Sequence, residues 1–252
     1  MTRSILVTGG AHGIGRAVAE RFADRGWRVG VYDVDLAGAH AVAARYGHTV
    51  AGTLDVRDPA AWAACLAEFC AGGPLDVLVN NAGVLVSGPF ESHDAAAYRR
   101  LVDVNVGGVL NGCLAARPYL RRGSTVVNLS SASALYGQPG LAVYGATKAA
   151  VKSLTEALDL EWRAAGIRVR DLLPLFVSTT MVDGMDARSI RTLGVRLTAD
   201  DVAQALWRTV HERALLPRSP HRTVGWQTAV LAAASAVSPA WANRLMVRLT
   251  AG

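Results

Sequence analysis

Short apolar runs alternate along the chain with longer segments in which apolar residues recur every three or four positions. The short runs are ILVT (5–8), RVGVYD (28–33), HTVAGTLD (48–55), LDVLVN (75–80), STVVNLS (124–130) and IRVRDLLP (167–174). Their β-branched content predicts strands, and segments between them such as IGRAVAERFADRG predict amphipathic helices. Strands that are apolar almost throughout are typical of parallel sheets covered by helices on both faces. The pattern therefore predicts a doubly wound α/β fold.

The composition fits one domain and argues against a nucleic-acid partner. Apolar residues make up 51% of the 252 positions and charged residues 18%, so residues 1–252 are expected to fold around one core. The net charge is +6, but the arginines are scattered singly or in pairs and form no dense block. A nucleic-acid footprint usually shows such a block, so no nucleic acid is expected.

Cysteine usage and the N-terminal sequence indicate a cytoplasmic protein. Cys65, Cys70 and Cys113 lie in apolar helical contexts without a C-x-x-C spacing or histidine partners. This predicts buried thiols in a reducing compartment and no metal site. The chain runs directly into SILVTGG without a charged leader and an apolar signal segment. The longest apolar segment, residues 229–237, is shorter than the roughly 20 residues of a membrane-spanning helix.

A glycine-rich loop follows the first predicted strand and opens the next helix near Ile14. Gly9, Gly13 and Gly15 allow a tight turn and the close approach of a pyrophosphate. The phosphate charge then meets the free N–H groups at the helix N-terminus, and His12 offers some further compensation. A glycine cluster alone also fits a simple turn, so the residues after the other strands have to support this interpretation.

Asp33 ends the second predicted strand, 24 residues after Gly9. A carboxylate at this place accepts a hydrogen bond from a ribose 2′-hydroxyl and repels a 2′-phosphate, so NAD is favoured over NADP. The alternative interpretation of Asp33 is a helix cap or a turn residue.

Polar residues also follow the third and fourth predicted strands. Asp55, before Val56, can accept a hydrogen bond from the adenine amino group. The fourth strand is followed by Asn80, Asn81, Ala82 and Gly83. Their amide side chains can lie against the adenosine ribose or tie neighbouring strand ends together, and for Asn80 the structural role is favoured.

Tyr144 lies four residues before Lys148, one of only two lysines in the chain, within the helical pattern VYGATKAAVKSLTEALDLEW. This spacing places both side chains on one helix face. An ammonium about 4 to 5 Å from a phenol, at an effective dielectric of 20, favours the phenolate by roughly 3 to 4 kcal/mol, or about two to three pKa units. The pair therefore predicts a phenol that exchanges a proton near neutral pH.

Two further polar residues lie near this pair in the expected fold. Ser131 follows the fifth strand, where a hydroxyl can donate to a substrate oxygen. Asn105 lies in the glycine-interrupted helical stretch DVNVGGVLNG, where a buried amide can hold a water. Each of them alone is compatible with a structural role, and the set as a whole supports a catalytic site.

Together these residues resemble the short-chain dehydrogenase/reductase family over residues 3 to about 211. The matching motifs are Thr8-Gly9-x-x-x-Gly13-x-Gly15, Asn80-Asn81-Ala82-Gly83, Asn105, and Ser131 thirteen residues before Tyr144-x-x-x-Lys148. The resemblance implies a Rossmann domain with a seven-stranded parallel sheet. It also implies reversible hydride transfer between a nicotinamide ring and an alcohol or carbonyl carbon.

The resemblance implies a role for each matching residue. Tyr144 is the general acid/base, Ser131 holds the carbonyl oxygen beside it, and Lys148 lowers the pKa of Tyr144 and binds the nicotinamide ribose. Asn105 anchors a water that links Lys148 to solvent. NAD is expected to contact Gly9, His12, Gly13, Ile14, Gly15, Asp33, Asp55, Val56, Asn81, Ala82, Gly83, Tyr144, Lys148, the backbone of Val177 at the carboxamide, and Thr179.

The sequence departs from the family pattern in two places. Leu175 follows Pro174 where the family usually has glycine, which is expected to narrow the substrate pocket and make it more apolar. Residues 212–252 form an atypical apolar extension, with a short strand at 221–224 and two helices divided by Pro239, and lack the usual last strand ending in Asp-Gly-Gly. That strand is part of the common tetramer interface, so a homo-oligomer is expected but not necessarily that tetramer.

The extension has three interpretations. It covers the sheet edge and the pocket as ordinary core, it forms a subunit contact, or it lies on a membrane surface through Trp226, Trp241, Arg244 and Arg248.

The favoured function is a cytoplasmic, NAD-dependent oxidoreductase acting on a small-molecule secondary alcohol or ketone. A lipophilic substrate is suggested by the apolar extension, because relatives with a similar tail act on apolar alcohols. One alternative is a 3-oxoacyl (acyl-carrier) reductase, which the basic surface favours and Asp33 opposes. Another is a cofactor-binding sensor or regulator without turnover, which would have no use for Ser131, Tyr144 and Lys148 together.

Overall fold

A seven-stranded parallel sheet forms the centre of the computed structural model, which describes residues 2–179, 194–212 and 219–239 and positions 241, 244, 245, 247 and 248. The strands lie in the order β3-β2-β1-β4-β5-β6-β9. They are β1 (Ser4–Thr8), β2 (Arg28–Asp33), β3 (Thr49–Thr53), β4 (Leu75–Asn80), β5 (Leu120–Leu129), β6 (Arg168–Pro174) and β9 (His221–Val224). The predicted doubly wound parallel sheet is confirmed, including its seventh strand at 221–224.

Helices cover both faces of the sheet. In the described part of the chain they are α1 (Gly13–Ala23), α2 (Leu36–Ala43), α3 (Pro59–Phe69), α4 (Ala95–Val102), α5 (Gly108–Ala116), α6 (Ala142–Glu161), α7 (Ala199–His211) and α8 (Trp226–Val237). Several begin at a side chain that caps the first turn, such as Asp58 at α3 and Thr198 at α7. These caps define where the helices start.

Two apolar cores lie on opposite faces of the sheet. On one face, Val18 and Phe22 of α1 pack with Leu206 of α7. On the other face, Trp62 of α3 and Val151 of α6 pack against the sheet. Because the strands between them contribute residues to both clusters, their sequences are apolar almost throughout.

Three features differ from the sequence prediction. β5 begins at Leu120 rather than at 124. Its residues 121–123 are exposed arginine and glycine positions, because the strand continues beyond the part that is buried in the core. Residues Asp103–Gly107 form a π-helical turn between α4 and α5. A separate pair of two-residue strands, β7 (Val177–Ser178) and β8 (Leu197–Thr198), was not predicted, since two residues carry no periodic signal.

The interpretation of the C-terminal extension as ordinary core holds for β9, which extends the sheet at β6 and buries Val224 in the core, but it is wrong for α8. Only Thr228 of α8 is buried, whereas Trp226 and Val237 are 68% and 84% exposed. The prediction of a second apolar helix after Pro239 lies largely outside the described residues. None of the described helices is both long and apolar enough to cross a membrane.

Candidate active site

A groove lies at the carboxyl ends of the strands, where β1 and β4 are adjacent and the chain order reverses. The structure brings most of the predicted residues to its wall. These are Gly9, His12, Gly13, Ile14, Asp33, Asp55, Val56, Asn81, Ala82, Gly83, Ser131, Tyr144, Lys148, Leu175, Val177 and Thr179. Gly15 and Asn105 do not line the groove and lie behind its wall.

The glycine loop is packed so tightly that side chains are excluded. A Cβ on Gly15 would lie 2.0 Å from the Gly9 carbonyl oxygen, and a Cβ on Gly9 would lie 2.9 Å from the Ala82 Cα. Gly9 and Gly13 also have φ angles of 62° and 49°, which favour glycine. Gly15 therefore shapes the loop from behind.

The N-terminus of α1 opens on the groove without a capping side chain among the described residues. Its free N–H groups make a site for an anion such as a pyrophosphate. His12 was predicted to assist a phosphate, but its ring Nε2 lies 2.7 Å from the Asp35 carboxylate. Asp35 caps α2 through Gly38, so in this geometry the ring is bound to a carboxylate rather than directed at the loop.

Asp33 is held rigidly at the end of β2. One carboxylate oxygen accepts a hydrogen bond of 3.0 Å from the Ala11 N–H, and the other accepts one of 3.0 Å from the Asp35 N–H. The carboxylate is therefore fixed at the groove wall beside the glycine loop. This arrangement combines both sequence interpretations, because Asp33 organises a turn and also presents a charge to the groove.

Asp55 lies at the groove wall with Arg57, a residue that carries no motif signal in the sequence. The Arg57 guanidinium donates to both oxygens of Asp55, at 2.6 and 3.1 Å to Oδ2 and 3.0 Å to Oδ1. These hydrogen bonds lower the pKa of Asp55. The neighbouring Val56 carbonyl accepts from Trp62 and Asn111, which fixes the strand end.

The two asparagines after β4 have different structural roles. The Asn80 amide donates to Asn128 at 2.9 Å, which ties β4 to β5 as predicted. The Asn81 amide donates to the backbone carbonyls of Thr8 at 2.8 Å and Gly9 at 3.0 Å. Asn81 therefore pins the glycine loop to the end of β4.

Ser131 and Tyr144 are hydrogen-bonded to each other at the groove wall. The Ser131 hydroxyl oxygen also accepts from the Ser133 N–H at 3.2 Å, which orients it at the start of a turn. Burial raises the pKa of Tyr144 to about 12, and the hydrogen bond to Ser131 acts in the opposite direction. The phenol is therefore protonated at neutral pH.

Lys148 lies 5.6 Å from the centre of the Tyr144 ring, and its ammonium donates a hydrogen bond of 2.8 Å to the Leu129 carbonyl. Burial lowers the pKa of Lys148 to about 8. The prediction that this cation brings the pKa of Tyr144 towards neutrality is not met in this geometry. The physical reason is that burial of the phenol dominates and that the ammonium is directed at the backbone carbonyl.

Asn105 is fully buried in the π-helical turn, a local structure often found at functional sites. Its Oδ1 accepts from the Val84 N–H at 2.8 Å. Its Nδ2 donates to the Val84 carbonyl at 2.9 Å and to Thr147 at 3.2 Å. Both amide hydrogens of Asn105 are used by protein groups, so the expected water would have to donate to Oδ1, which has a second acceptor site.

The segment after β6 closes the groove opposite the glycine loop. A Cβ on Gly13 would lie 3.2 Å from the Thr179 methyl group, so these two positions face each other. Val177 is buried, and Leu175 lines the groove as the resemblance implied. Further apolar lining residues that the sequence did not identify are Val84, Leu85, Leu141 and Phe176.

Metal-ligand clusters and reactive thiols are not found among the described residues. No group of three His, Cys, Asp or Glu side chains there is placed to hold a metal ion. Cys65, Cys70 and Cys113 are buried and free, as predicted. Burial raises the pKa of Cys65 to about 12, of Cys70 to about 11 and of Cys113 to about 12, so these thiols are poor nucleophiles.

The chain is similar to known proteins in sequence and in structure. The profile of the short chain dehydrogenase family matches residues 3–189. The chain is 38% identical over 191 residues to the sorbitol dehydrogenase of Cereibacter sphaeroides, covering 74% of this chain and 75% of that protein. It is 38% identical over 187 residues to a 3-alpha-(or 20-beta)-hydroxysteroid dehydrogenase of Mycobacterium bovis, covering 71% and 70%.

A solved structure gives a similar result. The 3-ketoacyl-(acyl-carrier-protein) reductase of Brucella melitensis, complexed with NADH, superimposes with a TM-score of 0.82 at 31% identity. The match covers 88% of this chain and 96% of that one.

Proposed function

Because the chain belongs to the short-chain dehydrogenase family and is an oxidoreductase of secondary alcohols and ketones, we propose that it uses NAD and that its substrate is largely apolar. The observation that carries this proposal is the hydrogen-bonded pair of Ser131 and Tyr144 in a groove that also holds Asp33 and an uncapped helix N-terminus. The groove thus combines a proton donor with groups suited to a dinucleotide.

Tyr144 is the residue that gives a proton to the substrate oxygen or takes one from it. A phenol with a pKa of about 12 is a general acid at neutral pH, which suits carbonyl reduction. Ser131 holds the same oxygen from the adjacent position. In the opposite direction the phenol first has to lose its proton, so alcohol oxidation is expected to become faster as the pH rises.

Lys148 and Asn105 support this pair. The Lys148 ammonium lies 5.6 Å from the centre of the Tyr144 ring, at the same end of α6. It is also placed to bind a ribose hydroxyl. Asn105 acts as a positioning residue, because it joins the Val84 backbone on the groove wall to Thr147, the neighbour of Lys148.

The donor set of the groove fits NAD. The N–H groups at the start of α1 suit the pyrophosphate, and the fixed Asp33 carboxylate suits a ribose with a free 2′-hydroxyl. Asp35, at the same end of the groove, adds a second negative charge against a 2′-phosphate. When bound, the nicotinamide supplies the hydride donor or acceptor, and the protein residues position the substrate and move the proton.

An apolar substrate is supported by the side chains around the catalytic pair. Leu85, Leu141, Leu175 and Phe176 line the same groove as Tyr144. Apolar walls with a few polar groups are typical of sites for small, largely hydrocarbon ligands. Relatives of the chain include a hydroxysteroid dehydrogenase and a sorbitol dehydrogenase, and the lining favours the first kind of substrate over a polyol.

A substrate panel tests the proposal. The purified protein is assayed with NAD or NADP on secondary alcohols of increasing apolar size, with sorbitol as the polar member. In the other direction it is assayed with ketones and a 3-oxoacyl thioester. We expect NAD-linked turnover that improves from polar to apolar alcohols. The thioester as best substrate would favour the acyl-carrier reductase, and no turnover with any member, despite NADH binding, would favour a non-catalytic sensor.

Self-association is supported by apolar residues on α5. Leu110 and Leu114 lie one turn apart and are 40% and 73% exposed. We therefore expect a homo-oligomer that uses this helix, and analytical ultracentrifugation of Leu114→Arg against the wild type measures it. An unchanged mass would remove α5 from the interface.

A further inference from the structure

The C-terminal extension carries five exposed apolar side chains, which together are called the C-terminal face: Trp226, Val230 and Val237 on α8, and Trp241 and Leu245 after it. Their exposed fractions are 68%, 58%, 84%, 70% and 50%. Within α8, the exposed residues Trp226, Val230, Ala233 and Val237 fall in an arc of about 60° on the helix surface. Such a stripe is rare on a surface that faces only water.

The charge of the chain is concentrated in the same segment. Residues 212–252 contain five arginines and one acidic residue, Glu212, so the extension carries four of the six net positive charges. Arg222 is paired with Glu212. Arg244 and Arg248, beside Trp241, are exposed and make no ion pair with any part of the chain that the structure describes. Arg244 and Arg248 line one pocket together with Trp241 and Leu245, and no Asp or Glu is among the described residues that line this pocket.

This charge pattern favours an anionic lipid surface over a second copy of the chain as the binding partner of the C-terminal face. A second copy docked on the same face would bring the arginines of both copies together without acidic partners, which is unfavourable. An anionic lipid surface satisfies both features, because tryptophan side chains partition into the interfacial layer and arginines are attracted to acidic headgroups.

We propose that the C-terminal face binds the surface of a bilayer that contains anionic phospholipids, with α8 lying in the plane of the headgroups. α8 also packs on the turn Ala132–Ala134, which follows Ser131. The docked surface therefore lies beside the catalytic groove, where it would bring the enzyme close to apolar molecules dissolved in the membrane. Binding itself depends only on the surface and not on the proposed substrate.

Co-sedimentation with lipid vesicles tests this proposal. The wild type is mixed with vesicles of phosphatidylcholine alone or of phosphatidylcholine with phosphatidylglycerol, at low and at high salt. We expect binding to the anionic vesicles, weaker binding at high salt, and little binding to phosphatidylcholine alone. Arg244→Gln/Arg248→Gln should weaken binding by roughly 10- to 30-fold, and Val230→Asp/Val237→Asp should abolish it.

Matched controls separate this effect from general changes in charge or folding. Arg45→Gln/Arg163→Gln removes two charges whose side chains are 53% and 59% exposed elsewhere. Val50→Asp changes an exposed residue of β3, at the opposite edge of the sheet from β9. Both controls should bind like the wild type, and circular dichroism with thermal melting verifies that every variant is folded.

The proposal is overturned if the wild type does not bind anionic vesicles, or if the tail variants bind as well as the controls do. A second result would overturn it and identify another occupant: the wild type binds no vesicles, and Val230→Asp/Val237→Asp has a different oligomeric state from the wild type. The face would then join two copies of the chain. Activity on the substrate panel is measured in parallel without lipid. Loss of vesicle binding with unchanged activity leaves the proposed function intact, so failure of one proposal is distinguishable from failure of the other.

Discussion

The Lys148 ammonium is hydrogen-bonded to the carbonyl of Leu129, the last residue of β5. In return, the hydroxyl of Ser130 donates to the backbone carbonyl of Lys148 at 3.0 Å. The next residue, Ser131, is hydrogen-bonded to Tyr144, one turn before Lys148 on α6. Three successive residues at the end of β5 are therefore bound to α6. This connection holds Tyr144 and Lys148, the proposed proton donor and its neighbouring cation, at the end of β5.

Replacing Lys148 by methionine is expected to stabilise the protein while it removes activity. Burial lowers the pKa of Lys148 from 10.5 to about 8, so below pH 8 the folded state carries a charge that it disfavours. This shift corresponds to roughly 3 kcal/mol, of which about 1 to 2 should remain after the Leu129 carbonyl loses its partner.

Because the pKa of Lys148 is lower in the folded state than in the unfolded state, the stabilising effect of the substitution depends on pH. At pH 7 lysine is charged in both the folded and the unfolded state, so the full cost is present. The cost declines as the pH rises from 8 to 10.5, because the folded state loses its proton first. Urea unfolding of Lys148→Met and wild type at pH 7 and pH 10 measures the difference. Lower stability of the variant at pH 7 would show that the ammonium is not disfavoured by burial.

Asp33→Asn is expected to shift the cofactor preference towards NADP. The Asp33 carboxylate and the 2′-phosphate of NADP, if about 5 Å apart at an effective dielectric of 20, repel each other by roughly 3 kcal/mol. Removing the carboxylate charge should therefore raise the ratio of kcat/KM with NADP to kcat/KM with NAD by about 10- to 100-fold. Asparagine keeps the shape and one acceptor for the Ala11 or Asp35 N–H. Asp35→Asn is the control and should change the ratio less. A wild type that already prefers NADPH would contradict the assignment of Asp33.

His221→Gln is expected to reduce stability more at pH 6 than at pH 9. His221 Nδ1 lies 2.8 Å from the fully buried Asp171 and Nε2 lies 2.8 Å from Glu156. Burial alone lowers the pKa of His221, but its hydrogen bonds to Asp171 and Glu156 raise it above 6.5 overall, even though Lys152 acts in the opposite direction. The cluster joins β9 to β6 and α6 at the edge of the sheet.

A raised histidine pKa means that the extra stability is fully present below pH 6.5 and is lost as the pH rises through the higher folded-state value. We expect a loss of about 2 kcal/mol for His221→Gln at pH 6 that shrinks towards pH 9. The control is His48→Gln, because the hydrogen bond that His48 makes with a described residue goes to the backbone carbonyl of Ala23 and not to a carboxylate. Equal losses for His221→Gln at both pH values would show that the cluster is held by neutral hydrogen bonds.

The sequence predicted the sheet well because each strand is long enough to carry a pattern. The seventh strand, His221–Val224, was found from four residues, whereas β7 and β8 are too short for any period. α8 shows the limit of composition, since an apolar helix at the surface has the same sequence pattern as a buried one.

The motif residues of the proposed site could be identified from the sequence because their proposed roles depend on the chemistry of their side chains. Contacts to the backbone were not found, and the Leu129 carbonyl that binds Lys148 leaves no signal in the identity of residue 129. The pKa of Tyr144 was predicted from one pairwise charge interaction. The outcome was decided by burial, which depends on the whole fold.

The most direct test of the account is the turnover of Tyr144→Phe with the best ketone of the panel. Phenylalanine removes only the hydroxyl that donates the proton, so we expect kcat to fall by about 10³-fold while NADH binding, followed by fluorescence titration, is unchanged. Tyr136→Phe, which removes a half-buried hydroxyl outside the groove, should retain normal turnover. Turnover of Tyr144→Phe close to that of the wild type would contradict the assignment of Tyr144 as the proton donor.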